Sequence, residues 1–136
     1  MLASELMKAD WISYNEDGKP YFARVSEVYQ SSVFTEDGYF EGREVEEDEI
    51  MPIPFTPEIA EKNGFGKDKN GDFELIEEGY GIRVVRRGNV YAFTIVTTTG
   101  DISDMVRFTI HQVGPFSVHW VQHALKLFGI ELEIKI

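Results

Sequence analysis

Apolar and polar positions separate most cleanly at the C-terminal end of the chain. From Val118 to Phe128 the apolar residues Val118, Trp120, Val121, Ala124, Leu125, Leu127 and Phe128 fill one half of a helical wheel. His119, Gln122, His123 and Lys126 stand together on the other half, the signature of an amphipathic helix. The pattern predicts a helix over 117–128, capped by Ser117, with its apolar half buried and its polar stripe in solvent. Gly129 is the only spacer before Ile130, Leu132, Ile134 and Ile136 alternate with Glu131, Glu133 and Lys135. That is the period of a half-buried strand, so a closing strand is expected over 130–136.

Upstream, the dominant period is two. Turn dipeptides at Asp17-Gly18, Asp37-Gly38, Asn70-Gly71, Gly88-Asn89 and Gly100-Asp101 fall at hairpin spacing. They separate predicted strands at Trp11–Tyr14, Tyr21–Tyr29, Ser32–Thr35, Phe73–Glu77, Ile82–Arg86, Val90–Thr98 and Met105–Gln112. Both faces of Val90–Thr98 are apolar or β-branched, which suits a central strand. Between the two β-rich stretches, the three prolines of Pro52-Ile53-Pro54-Phe55-Thr56-Pro57 forbid a regular central strand and mark an internal boundary. Thr56 then fits as an N-cap, Pro57 as the first helical residue and Gly64 as the stop of a short helix over 57–63.

The expected fold class is therefore α+β. Residues 1–53 form a small β-rich half compatible with an SH3-like barrel. Residues 54–136 form an α+β half, an antiparallel sheet covered by the C-terminal amphipathic helix and closed by the C-terminal strand, and the two halves form one compact unit.

Composition narrows the functional classes. The 136 residues carry a net charge of −11, which opposes approach to phosphate backbones and anionic lipid, so neither nucleic acid nor membrane is an expected partner. Eight acids and only Arg43 lie between Glu36 and Ile50; the run reads as a solvated face, with a docking surface or a nucleic-acid mimic as sharper alternatives. With no cysteine, disulfides, thiolate metal sites and a cysteine nucleophile are excluded. The first thirty residues hold no apolar run of signal-peptide length, and no segment approaches the roughly 18 apolar residues of a membrane helix. A cytoplasmic location is expected.

Candidate chemistry is sparse. His119 and His123, four apart on one helical face, have the spacing for two imidazoles to reach one metal ion. Trp120, Val121 and Gln122 lie between them, so the glutamate of an H-E-x-x-H helix is missing. His111, Glu131 or Glu133 would have to complete a shell, and neither a metal nor any other cofactor is expected. Asp68-x-Asn70-x-Asp72 begins like a calcium loop but has Phe73 where glycine is needed and Gly79 where the bidentate acid belongs. Gly64-Phe65-Gly66 and Gly79-Tyr80-Gly81 are too short to cradle phosphate and open no helix. No serine has a G-x-S-x-G context. Most of the ten Phe, six Tyr and two Trp are expected in the core, and a few left exposed would form a ligand or peptide platform.

Pro52-Ile53-Pro54-Phe55-Thr56-Pro57-Glu58-Ile59, Lys62-Asn63-Gly64-Phe65, Val118-His119-x-Val121-Gln122, Leu125, Gly129 and Glu131-Leu132-Glu133-Ile134 together resemble a family of small uncharacterised proteins encoded in Bacteroidetes genomes and their phages or mobile elements. The early Trp11-Ile12-Ser13-Tyr14 stretch lies where that family starts its first strand. The resemblance implies no activity. It transfers His119 and Gln122 on the polar stripe and Pro54, Thr56 and Gly64 around the short helix, and this chain departs from it in Trp120, His123 and the longer acidic stretch.

The reading that follows is a non-enzymatic protein-binding or adaptor module with another protein as partner and His119, Gln122, His123 and Lys126 as the binding stripe. The alternatives are a metal-assisted enzyme centred on His119 and His123, and an acidic mimic of nucleic acid.

Overall fold

The computed structural model describes residues 1–36, 42–97, 106–113 and 116–136. The expected turns at Asp37-Gly38 and Gly100-Asp101 lie outside these residues. The chain is α+β and mostly β, with two antiparallel sheets and a C-terminal helix. It divides into two compact units, the first comprising Met1–Pro54 with Ser117–Glu133 and the second Phe55–Phe116 with Ile134–Ile136.

In the first unit, β1 (Trp11–Glu16), β2 (Lys19–Val28), β3 (Ser32–Glu36) and β4 (Arg43–Glu46) form a four-stranded meander. Asp17 and Gly18 both adopt positive φ, 52° and 75°, as a two-residue hairpin with the twist of its flanking strands requires. One face carries Ile12, Ala23, Val25, Val33 and Val45, each at most 1 % exposed, and closes on Ala3, Leu6, Tyr14 and Ile50 as a single apolar core. A bulge at Ser26 breaks the β2–β3 register, and its hydroxyl donates to Phe34 O at 3.0 Å; such a bulge bends a strand. After β4 the chain returns to the free edge of β1, where Ser13 and Met51 exchange backbone hydrogen bonds of 3.0 and 2.8 Å. The sheet is thus half a barrel.

The acidic run is built into this unit. Glu44 accepts from the Ser32 hydroxyl and Glu47 from the Ala3 amide. Glu49 accepts from the Glu46 amide and pairs with Arg43 at 3.4 Å. Strand β4, inside that run, went unpredicted because its polar faces hide the alternation around Val45.

In the second unit, β5 (Gly66–Lys67), β6 (Phe73–Glu77), β7 (Tyr80–Arg87), β8 (Val90–Thr97) and β9 (Val106–Val113) form a five-stranded antiparallel meander. Helix α1 (Pro57–Lys62) begins where Thr56 Oγ1 accepts from Ile59 N at 3.3 Å. It ends at Gly64, whose φ of +86° disfavours any side chain. Phe55 N donates to Phe116 O at 2.7 Å, and Phe116 stacks on Tyr91 and Phe93 at ring distances of 5.7 Å.

Two expectations are corrected. Helix α2 (Val118–Leu127) belongs to the first unit, not to a unit made of residues 54–136. The reason is local bonding: Val118 N donates to Ile53 O at 2.8 Å, and Ser117 bridges to Pro54. Residues 130–136 form no strand. The alternation survives as burial, with Glu131, Glu133 and Lys135 exposed and Ile134 only 1 % exposed. At the tip of the chain, however, side chains hold the backbone: Asn63 Oδ1 accepts from Lys135 N at 2.7 Å, Asn63 Nδ2 donates to Lys135 O at 2.7 Å, and Lys62 Nζ donates to Ile136 O at 2.6 Å.

Candidate functional site

The polar stripe of α2 faces the chain that leads into β1. Gln122 Nε2 donates to Ala9 O and its Oε1 accepts from Trp11 N, both at 2.9 Å. Lys126 Nζ donates to Lys8 O at 2.7 Å. These side chains satisfy backbone groups that have no neighbouring strand at this point, which is what a partly buried turn demands. They also hold Ala9 at φ 75°, a left-handed conformation that costs a residue with a Cβ roughly 1–2 kcal/mol. Ala9 N is anchored to Val25 O at 2.7 Å and Val25 N to Asp10 O at 2.9 Å, so the turn is fixed from both sides.

Asp10 lies beneath the stripe and is fully buried. Its Oδ2 accepts from Met7 N at 2.7 Å and contacts His123 Nε2 at 2.6 Å. A carboxylate has no hydrogen to give, so Nε2 is the donor. Oδ1 has no partner among the described residues. His119 packs edge-on to His123 with ring centroids 5.6 Å apart, is 4 % exposed, and leaves Nδ1 buried and unbonded among the described residues. Burial holds the His119 imidazole below its ordinary value; the carboxylates of Asp10 and Glu5 work the other way, and His123 adds to the lowering.

The expected orientation holds in part: Val118, Val121, Ala124 and Leu125 are buried as expected, and His119, Trp120 and Leu127 depart from it. His119 is buried and Trp120 is 41 % exposed, beside Leu127 at 69 %. Gln122 and His123 are half-buried and only Lys126 of the stripe is exposed. The structure brings the four stripe residues to one surface, from which Gln122, His123 and Lys126 bond residues 8–11. Asp10, the residue that organises the cluster, was missed, since it stands 113 positions from His123 and no local motif links the two.

A buried carboxylate orienting an imidazole is one half of a general-base arrangement. Among the described residues no group of three or more His, Cys, Asp or Glu is arranged to hold a metal ion. His111 lies exposed on β9 of the second unit. The Ser117 hydroxyl is buried without a partner among the described residues and does not cap α2, although its backbone has the extended N-cap conformation. Asp68 accepts from the amides of Asn70 and Asp72 at 2.8 and 3.0 Å, so the Asp68-x-Asn70-x-Asp72 stretch is a turn. Comparison of the chain with protein-family models, with curated proteins and with solved structures gives no match.

Proposed function

We propose that this chain is a non-enzymatic protein-binding or adaptor module whose first unit is a small SH3-like barrel. The observation that carries the reading is the outward face of the first sheet. Ser13 is paired with Phe22 on one side and with Met51 on the other, and opposite residues of an antiparallel pair share a face. Phe22 is 54 % and Met51 37 % exposed, flanking a Ser13 that is itself buried. Two large apolar side chains left exposed on one face, on either side of Ser13, support reading that face as a contact surface. Because Gln122 and Lys126 bond the backbone of residues 8–11, His123 meets the Asp10 carboxylate and His119 is buried, the binding role moves from these four residues to this face.

The partner is another protein. A net charge of −11 opposes direct contact with nucleic acid, and no described helix is long and apolar enough to cross a membrane. The acids of the 36–50 run that bond within the first unit are unsuited to imitate an evenly spaced phosphate row. A cytoplasmic setting and an origin in a Bacteroidetes phage or mobile element belong to the same reading, on the resemblance described above.

The test is photocrosslinking in bacterial cells from a benzophenone side chain placed at Phe22, with Ile76, 76 % exposed on the second unit, as control position. One discrete adduct from position 22, lost when Met51→Glu is added, is expected. The same adducts from both positions would refute the assigned face.

A further inference from the structure

The second unit contains a cleft of about 200 Å³ that plays no part in the function proposed above. It opens where the buried face of the five-stranded sheet runs out. Register places Lys67, Phe73, Val84 and Phe93 in one row across β5 to β8, and Arg86 beside Tyr91 in the next. Phe55 and Pro57, from the segment that begins α1, supply further lining. Phe55, Phe73 and Tyr91 thus offer aromatic surface, and Val84, 5 % exposed, an apolar floor.

The charges around the cleft are unequal in their commitments. Asp72 is 4 % exposed, and its two oxygens meet the guanidinium nitrogens of Arg87 and Arg83 at 3.2 to 3.5 Å. Asp68 also pairs with Arg83, at 3.2 Å. Two acids and two arginines neutralise one another there. Lys67 and Arg86 are left, and no described carboxylate pairs with either. The Arg86 guanidinium lies 5.6 Å from the Tyr91 ring centroid, and its Nε donates to Gly88 O at 3.0 Å. That contact and that bond orient the fork and leave its terminal nitrogens for a ligand. On a chain of net charge −11, two such cations at one aromatic cleft are a local inversion of sign.

We propose that this cleft is a binding site for a single-ring aromatic carboxylate, with the ring among Phe55, Phe73 and Tyr91 and the carboxylate on Arg86 and Lys67. Volume limits the ring system: an apolar cavity of roughly 150 Å³ accepts benzene, whereas drug-sized ligands fill about 300 Å³ or more. Asp72 in the lining is balanced by Arg83 and Arg87, so the charge offered to a ligand is that of Arg86 and Lys67.

The experiment is an amide NMR titration of the full ¹⁵N-labelled chain with benzoate, with benzyl alcohol and phenyl phosphate as comparison ligands. Saturable shifts are expected at Lys67, Phe73, Arg86 and Tyr91 with benzoate, and much weaker binding of benzyl alcohol. Arg86→Gln, at an exposed position, is expected to weaken benzoate about tenfold, the loss of one charge-assisted contact, while leaving the remaining spectrum in place. Lys67→Gln serves as the second variant, with a loss in the same direction. Absence of saturable shifts, saturation at residues outside the cleft, tighter binding of phenyl phosphate than of benzoate, or unchanged affinity in both variants would overturn the assignment.

Discussion

Two buried aspartates, one in each unit, are held by different means. Asp10 is wholly buried against the imidazole of His123 and the Met7 amide, with one oxygen unbonded among the described residues. Asp72 is 4 % exposed and faces Arg83 and Arg87, whose side chains are 47 % and 66 % exposed. The exposure of the arginines places these ion pairs partly in water. Asp10 depends on a partner that is itself half-buried. Charge geometry near the surface is thus forgiving in the second unit, whereas the first has tied its sheet to its helix through a cluster with little tolerance.

That contrast predicts the largest effect. Asp10→Ala leaves the His123 imidazole and the Met7 amide without their acceptor in a closed site and should cost roughly 3–5 kcal/mol in urea unfolding, as removing one member of a buried pair does. Asp72→Ala, which releases arginines into solvent, should cost about 1 kcal/mol. Equal losses would erase the distinction.

The amide clamps sharpen it further. Gln122 holds Ala9 O and Trp11 N; Asn63 holds the Lys135 backbone in the second unit by the same two-way device. Gln122→Ala leaves the part-buried Trp11 amide without its acceptor and should cost about 1–2 kcal/mol, whereas Asn63→Ala frees Lys135 groups that water can reach and should cost less than about 1 kcal/mol. Unfolding followed separately by amide resonances of each unit distinguishes the two.

Much of the strand content was legible because two-residue turns such as Asp17-Gly18 and Gly88-Asn89 act locally: the backbone twist they require is written in the dipeptide itself. Thr56, Pro57 and Gly64 marked α1 for the same reason. What could not be read was where α2 docks and that His119 is buried beside Val118, Val121, Ala124 and Leu125 while Trp120 and Leu127 are exposed. A helical wheel sorts side chains by apolarity, but His119, Gln122 and His123 turn inward to meet Asp10 and the unpaired backbone around Ala9, and those needs lie over a hundred positions away. The 130–136 alternation likewise announced which side chains are buried and said nothing of what bonds the backbone.

Acid should reach the two units differently. The His119 imidazole is held below its ordinary value, chiefly by burial. The folded state therefore prefers the neutral ring, and the stability this contributes is complete above about pH 6.5 and lost as pH falls through the lowered folded value. Asp68 is pushed up by burial, but the amides of Asp72 and Asn70 and the Arg83 guanidinium outweigh this and hold it below its ordinary value. Its contribution is present above about pH 4 and is lost only at stronger acid. Urea midpoints measured between pH 7 and 5 should fall for the parent chain and stay flatter in His119→Leu; parallel curves would refute the buried placement of His119.

The smallest effects belong to the outward face of α2. Trp120→Ala and Leu127→Ala should each change stability by no more than about half a kcal/mol to 1 kcal/mol, as at exposed positions; a loss of about 3 kcal/mol or more at Trp120 would mark it as core.

The central claim is that His119, on the polar stripe of α2, is buried. Its most direct test is the NMR titration of the three histidine rings, with His119 assigned through the His119→Leu variant. The structure predicts a His119 midpoint clearly below 6.5, the ordinary value. A midpoint at or above 6.5 would return His119 to solvent and contradict the orientation of the helix.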